Sequence, residues 1–470
     1  AAAPFDLTTA PLLRPTLIRY SATDHVFLLV MHHIIADGWS VGVLLRELSA
    51  LCGAFREGRP DPLPELAVQY ADFALWQRQR FQQGEFDKDI EYWRQQLGTS
   101  VPTLELPMAR AKNSTTPEIA AGGRVSLSLE PELVDGLEKV ARQERGTLYM
   151  TLLAAYVLLL HKHSGQKTIV VGTPIANRSN VQTEELIGFF VNALALKVDA
   201  DGGTFRDLLR RARKAAIGAF SHQDVPFEKL VEVLRPERRM SQAPLFQVMF
   251  VLQNTPREPL DLPGLGVTPV DVHTGTAKFD LLLAVTTHEG HTTATLEYDS
   301  SRFDEDTVTR LLQRYRTLLA SIVDDPDSAL TELAMLPEDE LAELRRIGRR
   351  RAEHPGENCL HDLFDEQVAR TPDAIAVTFE GEHLTYRELQ QRADRLASRL
   401  YAMGVRRNDR VGLFLDRSFD TVVAILGVLK AGGTYVPMDA AYPTARLHAI
   451  VTDSAPAVVL SQRRMLDQLP

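Results

Sequence analysis

Two adjacent histidines, His32 and His33, with an aspartate at Asp37, are the residues of this sequence best suited to chemistry. An imidazole titrates near neutral pH, so it can take a proton from an amine or hydroxyl that attacks a carbonyl. Neighbouring side chains leaving a strand point to opposite faces, so at most one of the pair is expected to meet a substrate. Asp37 could orient the imidazole. It could equally lock the turn by accepting backbone N–H groups or by pairing with an arginine. A structural pair and a pair of zinc ligands compete for the same residues. Zinc is disfavoured, because no cysteine lies in the segment and adjacent histidines are not a usual ligand spacing.

The elements around the pair look built to hold it. Val26 to Val30 is an unbroken apolar run of strand length, which suits a strand covered on both faces. From Trp39 the period becomes helical through Val43, Leu44 and Leu48, with Gly53 as a possible stop. Leu12 to Tyr20 reads as a companion strand. Gly58 to Pro64 is a Pro-rich loop, and Tyr70 to Phe81 an aromatic-bearing helix. Those aromatics are expected in a core, since no basic residues interleave them as in a nucleic-acid platform.

With 470 residues, at least two domains are expected. A formal net charge of -10 leaves no nucleic-acid footprint, and no apolar run reaches a membrane-spanning length. The two cysteines, Cys52 and Cys359, argue against a disulfide framework or a Cys-rich metal site, so a reducing cytoplasm is the expected setting. Further along, Thr147 to Lys162 is the most hydrophobic helix and Gly165 closes it. Thr168 to Gly172 is a strand, followed by Thr173 to Arg178. Gly188 precedes Phe189 and Phe190, which should point to opposite faces, and a strand over 191–198 that carries Asn192. An amide in so apolar a stretch needs hydrogen-bond partners, either in a structural network or near a cleft. Phe205 to Phe220 reads as an amphipathic helix with a solvated basic face. Asp224 and Pro226 read as a helix start, Leu260 to Thr274 as loop and strand, and 281–287 with 293–298 as a hairpin.

His32-His33-Ile34-Ile35-Ala36-Asp37-Gly38 matches the HHxxxDG signature of condensation domains in nonribosomal peptide synthetases, and residues 1–337 resemble that family. Gln69 to Arg78, Thr173 to Arg178, Ile187 to Asn192 and His222 to Leu230 are similar to further family segments. Trp39-Ser40 is like the form that joins two L-configured residues. The resemblance implies that His33 is catalytic and that His32, Asp37 and Gly38 are structural or orienting. Trp39, Ser40 and Asn192 are candidates for the cleft or for the layer behind it. It implies an α/β fold with two chloramphenicol-acetyltransferase-like lobes, and a chain that enters this domain partway. Leu97 to Glu118 looks like the crossing between lobes. One departure concerns Arg239 and Gln242, where the family commonly has an acidic residue and an arginine.

Residues 338–358 read as a helix fragment plus linker, after which strand and helix alternate in the manner of an α/β domain. Thr385-Tyr386-Arg387-Glu388 fits a capping box. Leu384 to Leu389 and Leu429 to Asp439 match the first two core motifs of adenylation domains, so 359–470 resembles the beginning of one. Lys430 with Gly432 and Gly433 is not a P-loop. The family's nucleotide-binding residues would lie downstream.

The activity implied is amide-bond formation between a donor aminoacyl or peptidyl thioester and an acceptor aminoacyl thioester. Both would ride on phosphopantetheine arms of upstream and downstream peptidyl carrier proteins, within the rest of the synthetase module. No cofactor or metal is expected to bind directly, and ATP and Mg would serve only a complete adenylation domain. No nucleic-acid or membrane partner is expected. An acyl-CoA-dependent acyltransferase of the same fold, an epimerase of the same superfamily, and an inactive fragment or docking scaffold are the alternatives.

Overall fold

The computed structural model describes residues 3–98, 101–107, 120–234, 244–253, 260–270, 272, 275–288, 290–348 and 358–469. The chain divides into two compact units, Ala1–Gly348 and Arg349–Pro470.

The first unit begins with an antiparallel ribbon of β1 (Leu13–Arg19) and β2 (His25–Met31), in which Leu13 faces Met31 and Arg19 faces His25. The apolar run is thus a strand, but neither of its faces is buried as expected. Val26 and Phe27 are exposed, and no residue of the two-stranded ribbon is fully buried. Strand propensity reports how a side chain suits a pleated surface, not whether a second layer covers that surface. Helix α1 (Gly38–Arg56) follows. It runs past Gly53, whose backbone is not left-handed, and the positive φ comes at Gly58 (+69°) instead. Helices α2 (Tyr70–Gln82) and α3 (Asp87–Leu97) complete this portion. Trp93 is buried, whereas Trp76 on α2 is 45% exposed, so the aromatic helix is only partly a core element.

The remainder of the unit is a seven-stranded sheet with helices. In chain order it contains β3 (Ala120–Leu129), α4 (Pro131–Gln143), α5 (Leu148–Ser164), β4 (Thr168–Ile175), the single turn α6 (Val181–Glu184) and β5 (Asn192–Asp199). Then come α7 (Phe205–Ser221), α8 (Phe227–Leu234), β6 (Val248–Gln253), β7 (Thr276–Ala277), β8 (Leu281–His288), β9 (His291–Asp299), α9 (Glu305–Asp324) and α10 (Glu338–Gly348). The strand order is β5-β4-β6-β8-β9-β3-β7, with β6 parallel to both β4 and β8 and the other pairs antiparallel. Helix α5 is buried at every residue from Met150 to Leu160. It has no polar stripe because it is the centre of the core, packed with Phe250, Leu283, Leu311 and Tyr315. Its ends are those the residues specify: Thr147 caps the start, and Gly165 closes it in the left-handed region at φ +70°.

The solvated basic face of α7 also carries ion pairs. Arg206 and Arg210 pair with Glu144, and Arg206 also pairs with Asp327. Among the described residues of 260–274 no strand forms, and the only nearby one is β7. The β8–β9 hairpin is present, with Gly290 at φ +81°, while Glu289 lies outside the described residues. Arg239 and Gln242, and 99–100 and 108–118 of the expected crossing, also lie outside them. Helix α10, in the segment read as helix and linker, pairs Glu340 with Arg314 of α9.

The second unit contains α11 (Leu360–Arg370), β10 (Ile375–Phe379), β11 (Glu382–Thr385), α12 (Tyr386–Ala402), β12 (Arg410–Phe414), α13 (Phe419–Lys430), β13 (Thr434–Pro437), α14 (Thr444–Ser454) and β14 (Val458–Ser461). Strands β13-β12-β14 form a parallel sheet, and β10 and β11 a separate antiparallel pair. The capping box forms as read: Thr385 accepts from Glu388 N–H and the Glu388 carboxylate accepts from Thr385 N–H.

Candidate active site

His32 and His33 lie just beyond the last residue of β2, and His33 opens a single 3-10 turn, His33–Ile35. His32 serves that turn, its Nδ1 accepting from Ile34 N–H at 3.1 Å. The two rings therefore diverge at a turn rather than by strand alternation. His33 is exposed. Its Nδ1 lies 2.7 Å from the Ala36 carbonyl oxygen. A carbonyl can only accept, so Nδ1 carries the proton and Nε2 presents its lone pair. No other hydrogen-bond partner of this ring occurs among the described residues.

Asp37 does not hydrogen-bond the imidazole, and the orientation expected of it is supplied by the Ala36 carbonyl. Its carboxylate caps α1 and joins distant segments instead. Oδ1 accepts from Ser40 N–H and from Arg178 Nη2, at 2.8 and 3.1 Å. Oδ2 accepts from Phe190 N–H at 2.9 Å and Val191 N–H at 3.2 Å. The Asp37 and Arg178 side chains are only 3% and 1% exposed. Burial pushes the Asp37 carboxyl up, but Ser40, Arg178 and Phe190 N–H together hold it below its ordinary value. Burial lowers the Arg178 guanidinium, against the pull of Asp37. Both stay charged at neutral pH, and a buried pair this well bonded fixes where 178–191 sits against α1.

Ser40 is the second joint. Its hydroxyl lies 2.8 Å from both Asp37 Oδ1 and the Gly188 carbonyl, and it accepts from Gly188 N–H at 3.0 Å. Trp39 Nε1 donates to the Glu184 carbonyl at 2.8 Å. Gly38 has open space around its Cα and no positive φ, so nothing in the structure requires glycine there. Gly188 is different: a Cβ would lie 2.3 Å from the Tyr70 ring. Phe189 and Phe190 do point apart, one against His33 and the other against Tyr70 and Phe73.

Asn192 is buried and fully used. It donates to the Gln223 and Val225 carbonyls and accepts from Phe227 N–H at 2.9 Å. The acceptor at the start of α8 is therefore Asn192 and not Asp224, which pairs with Arg80. Residue types alone left an arginine partner for Asp37 as one of three alternatives, without saying which arginine. Arg178 was legible only as part of a similar segment. The Ala36 carbonyl, a backbone group, left no signal at all.

In the second unit Lys430 Nζ is held by Asp365 and Asp394, at 2.6 and 2.7 Å. The amides of Gly432 and Gly433 donate to Leu429 and Val428 carbonyls at the end of α13. This turn does not fit a nucleotide phosphate, because its donors are already spent on the helix terminus. Cys359, His361 and Asp362 lie close together at the start of α11, but Cys359 is exposed and the Asp362 carboxylate already caps the helix.

Comparison with known proteins agrees in both units. The condensation domain family model matches residues 1–345, and that of AMP-binding enzymes matches 364–470. A linear gramicidin synthase of Brevibacillus parabrevis is 41% identical over 99% of this chain, and malpinin synthetase of Mortierella alpina is 40% identical over 98%. The chain spans 9% and 6% of those relatives' lengths. The crystal structure of holo-AB3403, a four-domain nonribosomal peptide synthetase bound to AMP and glycine, superposes with a TM-score of 0.77 at 28% identity. That match covers 99% of this chain and 36% of the other.

Proposed function

The chain belongs to the condensation-domain family of nonribosomal peptide synthetases and runs on into the start of an adenylation domain, and from that premise we propose how its first unit forms an amide bond. The acceptor α-amine, carried on one phosphopantetheine arm, attacks the thioester carbonyl of a donor carried on another. The amine nitrogen gains the acyl group and loses a proton, and the donor arm leaves as its thiol. Holding both reactants on tethers converts a bimolecular encounter into a local one. His33 Nε2 accepts a hydrogen bond from the attacking amine, taking its proton or steadying the charge of the tetrahedral intermediate.

The observation that carries this reading is the bond from His33 Nδ1 to the Ala36 carbonyl, since it leaves Nε2 as the acceptor on an exposed residue. In this reading Asp37, Arg178 and Ser40 hold the turn and take no part in proton transfer. The finer architecture we infer is the two-lobed chloramphenicol-acetyltransferase-like arrangement. The partners we infer are the carrier proteins on either side. For the second unit we infer the start of an amino-acid-activating domain, with ATP and Mg serving the complete domain.

Replacing His33 by Ala in the complete module tests the assignment. Dipeptidyl-thioester formation should fall by about 10²-fold or more while carrier loading is unchanged. An undiminished rate would overturn it.

A further inference from the structure

One hydrogen bond fixes the tautomer of the His33 ring but leaves it free to rock about the Nδ1 contact. A second contact removes that freedom. The Phe189 ring stands edge-to-face with the imidazole, centroids 5.0 Å apart and planes at 84°. This is the favoured geometry for two aromatic rings.

Phe189 has no regular structure to hold it, because β5 begins only at Asn192. Its backbone is instead anchored by side chains at each position from 188 to 191. Ser40 Oγ bonds both the N–H and the carbonyl of Gly188. Tyr70 donates its hydroxyl to the Phe189 carbonyl at 2.8 Å. Asp37 Oδ2 takes the N–H groups of Phe190 and Val191. The Tyr70 ring fills the place a Cβ at Gly188 would need, and it packs edge-on against Phe190 at 5.0 Å. So many bonds on four residues of irregular chain place one ring, and that ring meets the histidine.

We propose that Phe189 is a positioning residue for condensation, the wall that holds the His33 imidazole in its reactive orientation, with Tyr70 bracing the Phe189 backbone. The proposal rests on the role assigned to His33 above. It explains why a catalytic turn with an exposed histidine needs a buried network beneath it: the network acts on the imidazole through Phe189. Proximity effects are steep in geometry, so a ring free to rock loses rate without losing its chemistry.

The test is a double-mutant cycle in the complete synthetase module, reading single-turnover dipeptidyl-thioester formation with both carriers loaded. Phe189→Ala should slow the step about tenfold in the native background and by less than twofold in the His33→Ala background. Phe189→Leu, which keeps apolar bulk without the ring, should lose about as much, and Phe189→Tyr should recover most of the rate. Tyr70→Phe should give a smaller loss in the same pattern. If Phe189→Ala unfolds the domain, the contrast between Leu and Tyr at 189 carries the test. Equal losses from Phe189→Ala or Phe189→Leu in both backgrounds, or none in the native one, would overturn the positioning role and leave His33 standing. A native rate for His33→Ala would bring down the underlying reading as well, and so separates the two failures.

Discussion

The turn after β2 and the turn after α13 carry comparable signals in the sequence: a titratable side chain beside an Asp-Gly or a Gly-Gly pair at the end of a regular element. The structure treats them oppositely. At His33 one ring nitrogen is spent on the Ala36 carbonyl and the other remains available, while Asp37 takes every burden of holding the chain. At Lys430 the ammonium is tied to Asp365 and Asp394, and the glycine amides close the helix. In the reading proposed for His33, a polar motif is chemical when the fold satisfies its neighbours and leaves one atom of it unsatisfied at the surface. It is structural when every atom is spent.

The sharpest way to break that contrast beyond His33 itself is Arg178→Met. It strands the buried Asp37 carboxylate and should cost about 3–5 kcal/mol of the first unit's stability, measured by urea unfolding of this chain. A loss under about 1 kcal/mol would show that Asp37 finds other partners. Asn192→Leu comes next. It leaves the Gln223 and Val225 carbonyls and Phe227 N–H without their partner, at a cost on the order of 3 kcal/mol. Lys430→Met should matter least among the substitutions. Asp365 and Asp394 are 41% and 54% exposed and can be solvated, so about 1 kcal/mol is expected in the second unit, with condensation unchanged. A lost condensation rate would mean that the lysine is not merely structural.

Acidification gives the most local signal. Burial, with Arg314 alongside, pushes His163 down to about 4, against an ordinary value of 6.5. Between those values the unfolded chain binds a proton that the folded one refuses, so stability should fall as pH drops from about 6.5 toward 4. His163→Gln should flatten that slope. The Asp37 network runs in the other register: its depressed carboxyl keeps its contribution above the ordinary carboxylate range and loses it only as pH falls through the lower, folded value. An unfolding titration that shows no slope between 6.5 and 4, or one that persists in His163→Gln, would remove His163 as its cause.

Most of the elements were legible because their signals are local. Helix α5 announced itself by an apolar run closed by a glycine stop, and α12 by a capping box, since such signals involve residues close along the chain. What failed were inferences about what lies across from an element. Val26 to Val30 is a strand yet is not covered on both faces, and α8 takes its first acceptor from Asn192 on β5 rather than from Asp224. Each depends on a surface that residue periodicity cannot see.

By itself, the sequence determined the family and the order of helices and strands, because those follow from residue types at short spacing, and the resemblance then said which imidazole to suspect. Tertiary structure alone decided that Asp37 reaches Arg178, 141 residues away, that a backbone carbonyl selects the His33 tautomer, and that Phe189 meets the ring. Those facts depend on two distant stretches of chain sharing one hydrogen-bonded joint. No spacing along the chain encodes a direction in space.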